Sequence, residues 1–372
     1  MNYFGWLLRA FVFVFLQVFL AGCSTPKHEV KLPSPVIPTV QGISSELDSS
    51  VSSTELSVEV SKILRKKDFL ALEQKASQAR TSRMRLSGGY WKLHSIYEGL
   101  DKPENKEKAT DSEWAAHIAR LEEWKKAIPD SITARVALAE SWMTYGRQAR
   151  GHGYINTVSE ENKRLFVERY ENAYKELAAS KDLKQKCPEW YVATLDVAIG
   201  QSWPREEFDR VFEAGFELEP TYYLLQREKL VYLLPQWFGH EGEVASFIKE
   251  NSSRIQGDEG EIMYFLLLST MQPVYRGRIF EQVKVPWDKA QLGYEKLKQH
   301  YALDRYRKNQ YAFLTLFAKN NDISIMINAM DNVGDDWDPD VWGNKAFFDQ
   351  MSKGTQSMKE LAAKNGGKLF PD

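Results

Sequence analysis

Cysteine is almost absent from this chain: its 372 residues include two, Cys23 and Cys187. Cys23 closes an apolar leader, so the body has no pair from which to build a disulfide framework and must rely on a packed core. A surplus of one charge sign is lacking as well. The 49 Lys and Arg residues are met by 51 Asp and Glu, a balance that argues against nucleic acid as a partner, since that affinity rests on a strongly basic surface. Beyond the leader no run approaches the ~18 apolar residues of a membrane helix. Catalytic signatures are missing too: there is no Gly-x-x-x-x-Gly-Lys phosphate loop, no Gly-x-Ser-x-Gly elbow and no His-Glu-x-x-His helix. The six histidines, His28, His94, His117, His152, His240 and His300, are scattered, so no metal, cofactor or catalytic residue is expected. What is present is aromatic. The 11 Trp, 17 Tyr and 19 Phe supply ample surface for a core and rule out an acidic disordered chain.

Residues 1–22 form a separate object. Arg9 is their one charge, and from Ala10 onward Phe, Val, Leu and Ala run with an interruption at Gln17. That run of about 13 residues is short for a membrane span and suits the apolar core of a signal peptide. Leu20-Ala21-Gly22-Cys23 resembles the lipobox of bacterial lipoproteins. The resemblance implies that Cys23 becomes the lipidated N-terminus of the mature chain and anchors it in a membrane. Several acyl chains, at about 0.8 kcal/mol per buried CH₂, hold where one would not. Ser24, a residue other than Asp, resembles the address for the outer membrane, facing the periplasm; an inner-membrane lipoprotein is the alternative. Cys187 is left as a small buried hydrophobe.

Residues 23–53 read as the lipidated Cys and a disordered tether. Pro26, Pro33, Pro35 and Pro38 precede a Ser-rich run ending at Ser53, with neither helical nor strand periodicity. Residues 54–350 read as a helical domain and residues 351–372 as a C-terminal tail. Within the domain, Phe166, Tyr170, Ala173, Tyr174 and Leu177 recur at helical spacing behind a capping residue, Ser159, with Glu160 and Glu161 in the first turn. Phe208, Val211, Phe212 and Gly215 predict a helix with Pro204 in its first turn that ends before Pro220. Further stripes run from Trp287 to Tyr301, from Tyr306 to Phe317 and from Ile323 to Met330. Alternating strand-like runs are absent, so the class is all-α. Short turns between helices imply antiparallel hairpins. Pro188 and Pro220 are spaced nearly as in tetratricopeptide arrays, whereas Phe208 and Phe247 lie further apart. The expected fold is an irregular tetratricopeptide-like helical-hairpin repeat, an α-solenoid with a concave face.

One segment breaks this rhythm. Gly151-His152-Gly153-Tyr154-Ile155-Asn156-Thr157-Val158 separates two helices and follows Trp142, Tyr145, Arg147 and Arg150. The run from Ala149 to Glu161, then Leu165-Phe166, Tyr222-Tyr223 and the run Tyr232-Leu233-Leu234-Pro235-Gln236-Trp237-Phe238-Gly239 resemble the signature blocks of a bacterial family of unknown function with tetratricopeptide-like helices. The resemblance covers about residues 60–345 and implies a fold without implying an activity. The chain departs from the pattern at Gln236, where Arg is usual, and at Ile155-Asn156, where small and acidic residues are usual.

Arg147, Arg150, His152 and Tyr154, with Trp142, Tyr145 and Trp237, are candidate binding residues. Guanidinium and aromatic groups suit an anionic or aromatic ligand, and the glycines let backbone approach it. The opposing interpretation makes Gly151 a helix cap, Arg150 a partner of helix-terminal carbonyls and Trp142 core. Asp336, Asp338 and Asp340 match the start of a calcium loop, yet Val341 stands where Gly is required and Phe347 where Glu is. They are expected to cap a helix beginning near Pro339. Residues 54–94 are basic through Lys62, Arg65, Lys66, Lys67, Arg80, Arg83 and Arg85, a composition suited to an anionic membrane surface.

Together these features predict a non-enzymatic, membrane-anchored scaffold or adaptor of the bacterial cell envelope whose concave face binds a protein partner. The alternative is an envelope enzyme or small-ligand-binding protein with its site around residues 142–154 and 234–237.

Overall fold

Helix starts are encoded locally. Ser52 caps α1 (Ser53–Arg65): its hydroxyl accepts the Glu55 N–H at 3.2 Å, and the Glu55 carboxylate accepts the Ser52 N–H at 2.9 Å. Two donors that a bare helix end would leave open are thereby satisfied. After α2 (Phe69–Ser82) and α3 (Lys92–Glu98), Thr110 and Glu113 repeat the device at α4 (Asp111–Ala127). Ser131 caps α5 (Ile132–Arg150), and Ser159, the cap expected from the sequence, caps α6 (Glu160–Ser180). The computed structural model describes residues 39–43, 45–105, 108–151, 157–275, 278–318 and 323–364. Cys23, His152 and Tyr154 lie outside the described residues.

Pro188 opens α7 (Pro188–Gly200). Pro204, expected inside the next helix, instead stands just before α8 (Arg205–Leu218), where its fixed φ leads the chain in. Then follow α9 (Tyr223–Tyr232), α10 (Glu243–Arg254) and α11 (Asp258–Thr270). The packing alternates. Helices α5, α7, α9 and α11 contact one another in that order, while α6, α8 and α10 each bridge two successive members of the row. The outer helices are amphipathic, with α8 burying Phe208, Phe212, Gly215 and Phe216 on one stripe. Two of the inner helices, α9 and α11, are buried on nearly all sides: every residue from Leu224 to Tyr232 and from Ile262 to Thr270 is buried. Such helices need cover on two sides.

The second cover is the chain's own segment 85–101. Strand β1 (Val40–Gln41) and strand β2 (Leu47–Asp48) precede it; β3 (Arg85–Leu86) pairs in parallel with β2 and antiparallel with β4 (Tyr90–Trp91). Gly88 and Gly89, with φ of 80° and 75°, make the tight reversal between β3 and β4. From there the segment crosses the inner row. Arg85, fully buried, pairs with Glu259 of α11 at 3.3 Å and lies over the Trp91 ring at 3.9 Å. Trp91 donates its indole N–H to the Thr221 carbonyl at 3.2 Å and packs on Tyr222. Helix α3 lies against α7 through His94 and Tyr97, and the Leu100 carbonyl accepts from Ser141 of α5 at 3.0 Å and from His117 at 2.8 Å. Burial lowers the His117 pKa to about 4, so its neutral ring is the donor in that last bond. We call residues 85–101 the strap.

Two boundaries differ from expectation. The tether was expected to extend to Ser53, but from Thr39 the described chain is docked: β1 pairs in parallel with β5 (Ile255–Gln256), and Ser45 N–H donates to the Tyr301 hydroxyl at 3.0 Å. Periodicity misses strands of two residues, because they are too short to alternate. At the other end, short helices α12 (Gln272–Tyr275) and α13 (Ile279–Gln282) lead to α14 (Trp287–Tyr301), which packs on α11. Beyond it come α15 (Arg305–Thr315), α16 (Ile323–Val333), α17 (Pro339–Trp342) and α18 (Lys345–Lys364), the last running through the expected tail boundary at residue 351. Asp338 caps α17, its carboxylate accepting the Asp340 N–H at 3.0 Å and the Arg305 Nε–H at 3.1 Å. The basic stretch is largely paired: Arg65 with Glu104, Lys67 with Glu123, Arg83 with Glu219 and Arg85 with Glu259. Among the described residues no helix is long and apolar enough to cross a membrane.

Candidate functional site

Where the strap crosses α5, α7 and α9 it leaves a cavity of about 20 Å³, room for one water-sized group. The strap contributes His94, Glu98 and Asp101; α5 contributes Glu140 and Met143; α7 contributes Glu189, Val192, Ala193 and Asp196; α9 contributes Arg227 and Glu228. Carboxyl groups dominate a place where ions are costly. Glu189 and Glu228 are 1% and 0% exposed.

Partners decide which of these groups is charged. His94 Nδ1 lies 2.8 Å from Glu189 Oε1, and the Tyr222 hydroxyl donates to Glu189 Oε2. Burial pushes the Glu189 carboxyl up, but His94, Tyr222 and Arg227 outweigh it and hold Glu189 below its ordinary pKa. Burial likewise pulls His94 down, and the neighbouring Glu189 and Glu98 carboxylates more than reverse this, so the imidazole stays protonated to higher pH. Among the described residues no cation pairs with Glu140. Burial first, and then the nearby Glu189 charge, push its carboxyl well above the usual range. The pair therefore consists of an acid that keeps its proton and a carboxylate that has lost one, the arrangement from which acid and base roles are assigned. Burial also raises Asp101 and Glu228.

The wall nearest the first signature block is an ion pair. Arg147 Nη1 donates to Asp196 Oδ2 at 2.6 Å, Arg147 Nη2 donates to Thr144 at 2.8 Å, and the Tyr170 hydroxyl donates to Asp196 Oδ1 at 3.2 Å. Arg227 donates through Nε and Nη2 to Glu228 Oε1 at 3.1 and 2.8 Å.

The structure separates the residues singled out by the sequence. Arg147 does not line the cavity but pairs with Asp196, which does. Tyr145 points elsewhere: its ring stacks on Trp114 at 4.7 Å, Arg169 lies over it at 3.2 Å, and its hydroxyl donates to Asp111 at 2.7 Å. Trp142 is half-buried against the core beside Tyr145. Arg150 is buried and donates to the Gly151 carbonyl at 3.1 Å. Gly151 ends α5 at φ 68°, ψ −170°, a region open to glycine alone. Trp237 packs on Phe238 and does not line the cavity. Its block contributes through what precedes it, Tyr222, Arg227 and Glu228.

His94, Glu140, Glu189, Asp196 and Glu228 were not expected. For two of them the signal is a charged residue inside an apolar run, as Asp196 within Val192–Ile199 and Glu140 within Val136–Met143, whereas Glu228 stands among the polar residues Gln226, Arg227 and Lys229. A larger open groove of about 530 Å³ between α7 and α8, lined by Trp190, Tyr191 and Trp203, holds none of these groups. Among the described residues no cluster of three or more His, Cys, Asp or Glu is arranged to hold a metal ion. No family model, curated protein or solved structure matches the chain.

Proposed function

We propose that the chain is a lipid-anchored protein of the bacterial envelope, attached through Cys23 to the outer membrane and facing the periplasm, whose helical body binds a small ligand in the strap-enclosed cavity. The alternating order of inner and outer helices supports a stacked-hairpin, tetratricopeptide-like body. In such a body the inner face is the natural groove for a protein partner, but here residues 85–101 occupy it, which favours the small-ligand alternative over the open-groove scaffold.

One observation carries this interpretation: Glu140 and Glu189, driven to opposite protonation states, face a cavity built jointly by the strap and the inner helices. Clustered, perturbed ionisable groups beside a cavity are the physical signature of a candidate functional site. Native mass spectrometry of the full lipoprotein, extracted gently from membranes, tests it. A small-molecule adduct that is released on unfolding is expected. A bare chain, or one accompanied by a stoichiometric protein and no small molecule, contradicts it.

A further inference from the structure

Resting on that reading of the cavity as a ligand site, we propose that its occupant is the ammonium head of a small primary amine, seated between Asp101 and Glu228. The lining holds six carboxyl groups, of which Glu140 keeps its proton, against one imidazole and one guanidinium. Those cations are directed at particular oxygens: His94 at Glu189 Oε1, Arg227 at Glu228 Oε1, and Arg147 from outside at Asp196 Oδ2.

Two oxygens are left over. Asp101 Oδ1 and Glu228 Oε2 are buried and accept no hydrogen bond, although their residues are only 6% and 0% exposed and both line the cavity. A buried carboxylate oxygen without a donor is costly, so a donor-bearing group is the natural complement. Size narrows its identity. About 20 Å³ takes one water-sized group, which an –NH₃⁺ matches and a guanidinium or quaternary ammonium exceeds. Met143, Val192 and Ala193 complete the wall around the head group, and the stem of the amine lies outside this volume. Glu98, with its side chain 36% exposed, marks the side on which the rest of the molecule would reach solvent.

The test is titration calorimetry on the full chain in detergent at constant ionic strength, with methylammonium as probe and methanol, acetate and tetramethylammonium as controls. Saturable binding of methylammonium alone is expected, weakened at least about tenfold in Asp101→Asn/Glu228→Gln by the loss of two charge-assisted bonds. Circular dichroism checks that this variant is folded, and the wild-type ranking of the four probes decides the matter if it is not. No methylammonium binding, meaning a cavity that holds water only, overturns the proposal, as does an equal response to tetramethylammonium. Binding of methanol or acetate in its place, with an adduct in native mass spectrometry, removes the ammonium assignment and leaves the ligand site standing. Silence from every probe together with a bare native mass removes both.

Discussion

His94 on the strap and Glu189 on α7 meet at 2.8 Å although 95 positions separate them in sequence. The contact does two things. It fastens the strap to the inner row, and it fixes the charge of Glu189, which leaves the neighbouring Glu140 as the group that must stay protonated.

Glu140→Gln tests that division through pH. The unfolded carboxyl ionises near about pH 4.3, whereas folded Glu140 keeps its proton to higher pH because its pKa is raised. Between those two values the folded state holds one more proton than the unfolded state, so wild-type stability from this group is lost as pH rises, by about 1.4 kcal/mol per unit. Gln cannot ionise and carries no such loss. Urea denaturation from pH 5 to 7 is expected to show the variant gaining on wild type, and parallel profiles would contradict the assignment.

Arg147→Met removes the cation from a buried pair with Asp196, which Tyr170 also contacts. An uncompensated buried carboxylate costs about 3–5 kcal/mol. The double variant Arg147→Met/Asp196→Leu should recover most of that loss in denaturant melts, because both charges then leave the interior together.

Trp91→Ala removes a side chain only 2% exposed, with its hydrogen bond to Thr221 and its contacts to Arg85 and Tyr222. A loss of about 3–5 kcal/mol is expected, accompanied by proteolytic cleavage within residues 85–101. A loss below about 1 kcal/mol would place the strap on the surface.

Gly42→Ala examines the docked N-terminal segment. An added Cβ would lie 2.5 Å from the Gln256 carbonyl oxygen and 2.8 Å from Glu259 Cβ. Amide exchange at Gly42, whose N–H donates to Gln256 at 3.0 Å, should accelerate about tenfold or more while α5 and α7 stay protected. Unchanged exchange would mean that the parallel pairing of β1 with β5 does not hold this segment.

The sequence made some parts legible and hid others for identifiable reasons. Outer helices announce themselves, since α6 and α8 bury one face and expose the other, and their caps and aromatic stripes survive in the pattern. Helices α7, α9 and α11 are buried on nearly all sides, so periodicity weakens where packing is densest. The strap was not legible: its strands span two residues each, and its partners Glu189, Thr221 and Glu259 lie far along the chain. Among the residues singled out from the sequence, Arg147 pairs with Asp196 of the lining without lining the cavity itself. The carboxyl groups escaped because an acidic residue on a helix normally signals a solvated face, and only its apolar surroundings, as at Asp196, signal otherwise.

Hydrogen–deuterium exchange on the full chain tests most directly the claim that the strap closes the inner face and so creates the cavity. The Arg85 N–H donates to Glu46 at 3.0 Å, the Gly88 N–H to Ala302 at 3.2 Å and the Lys92 N–H to Met84 at 3.1 Å. These amides are predicted to exchange as slowly as those of α7 and α9, and only on global unfolding. Exchange of residues 85–101 at the rate of a free loop, with α7 and α9 still protected, would contradict the account.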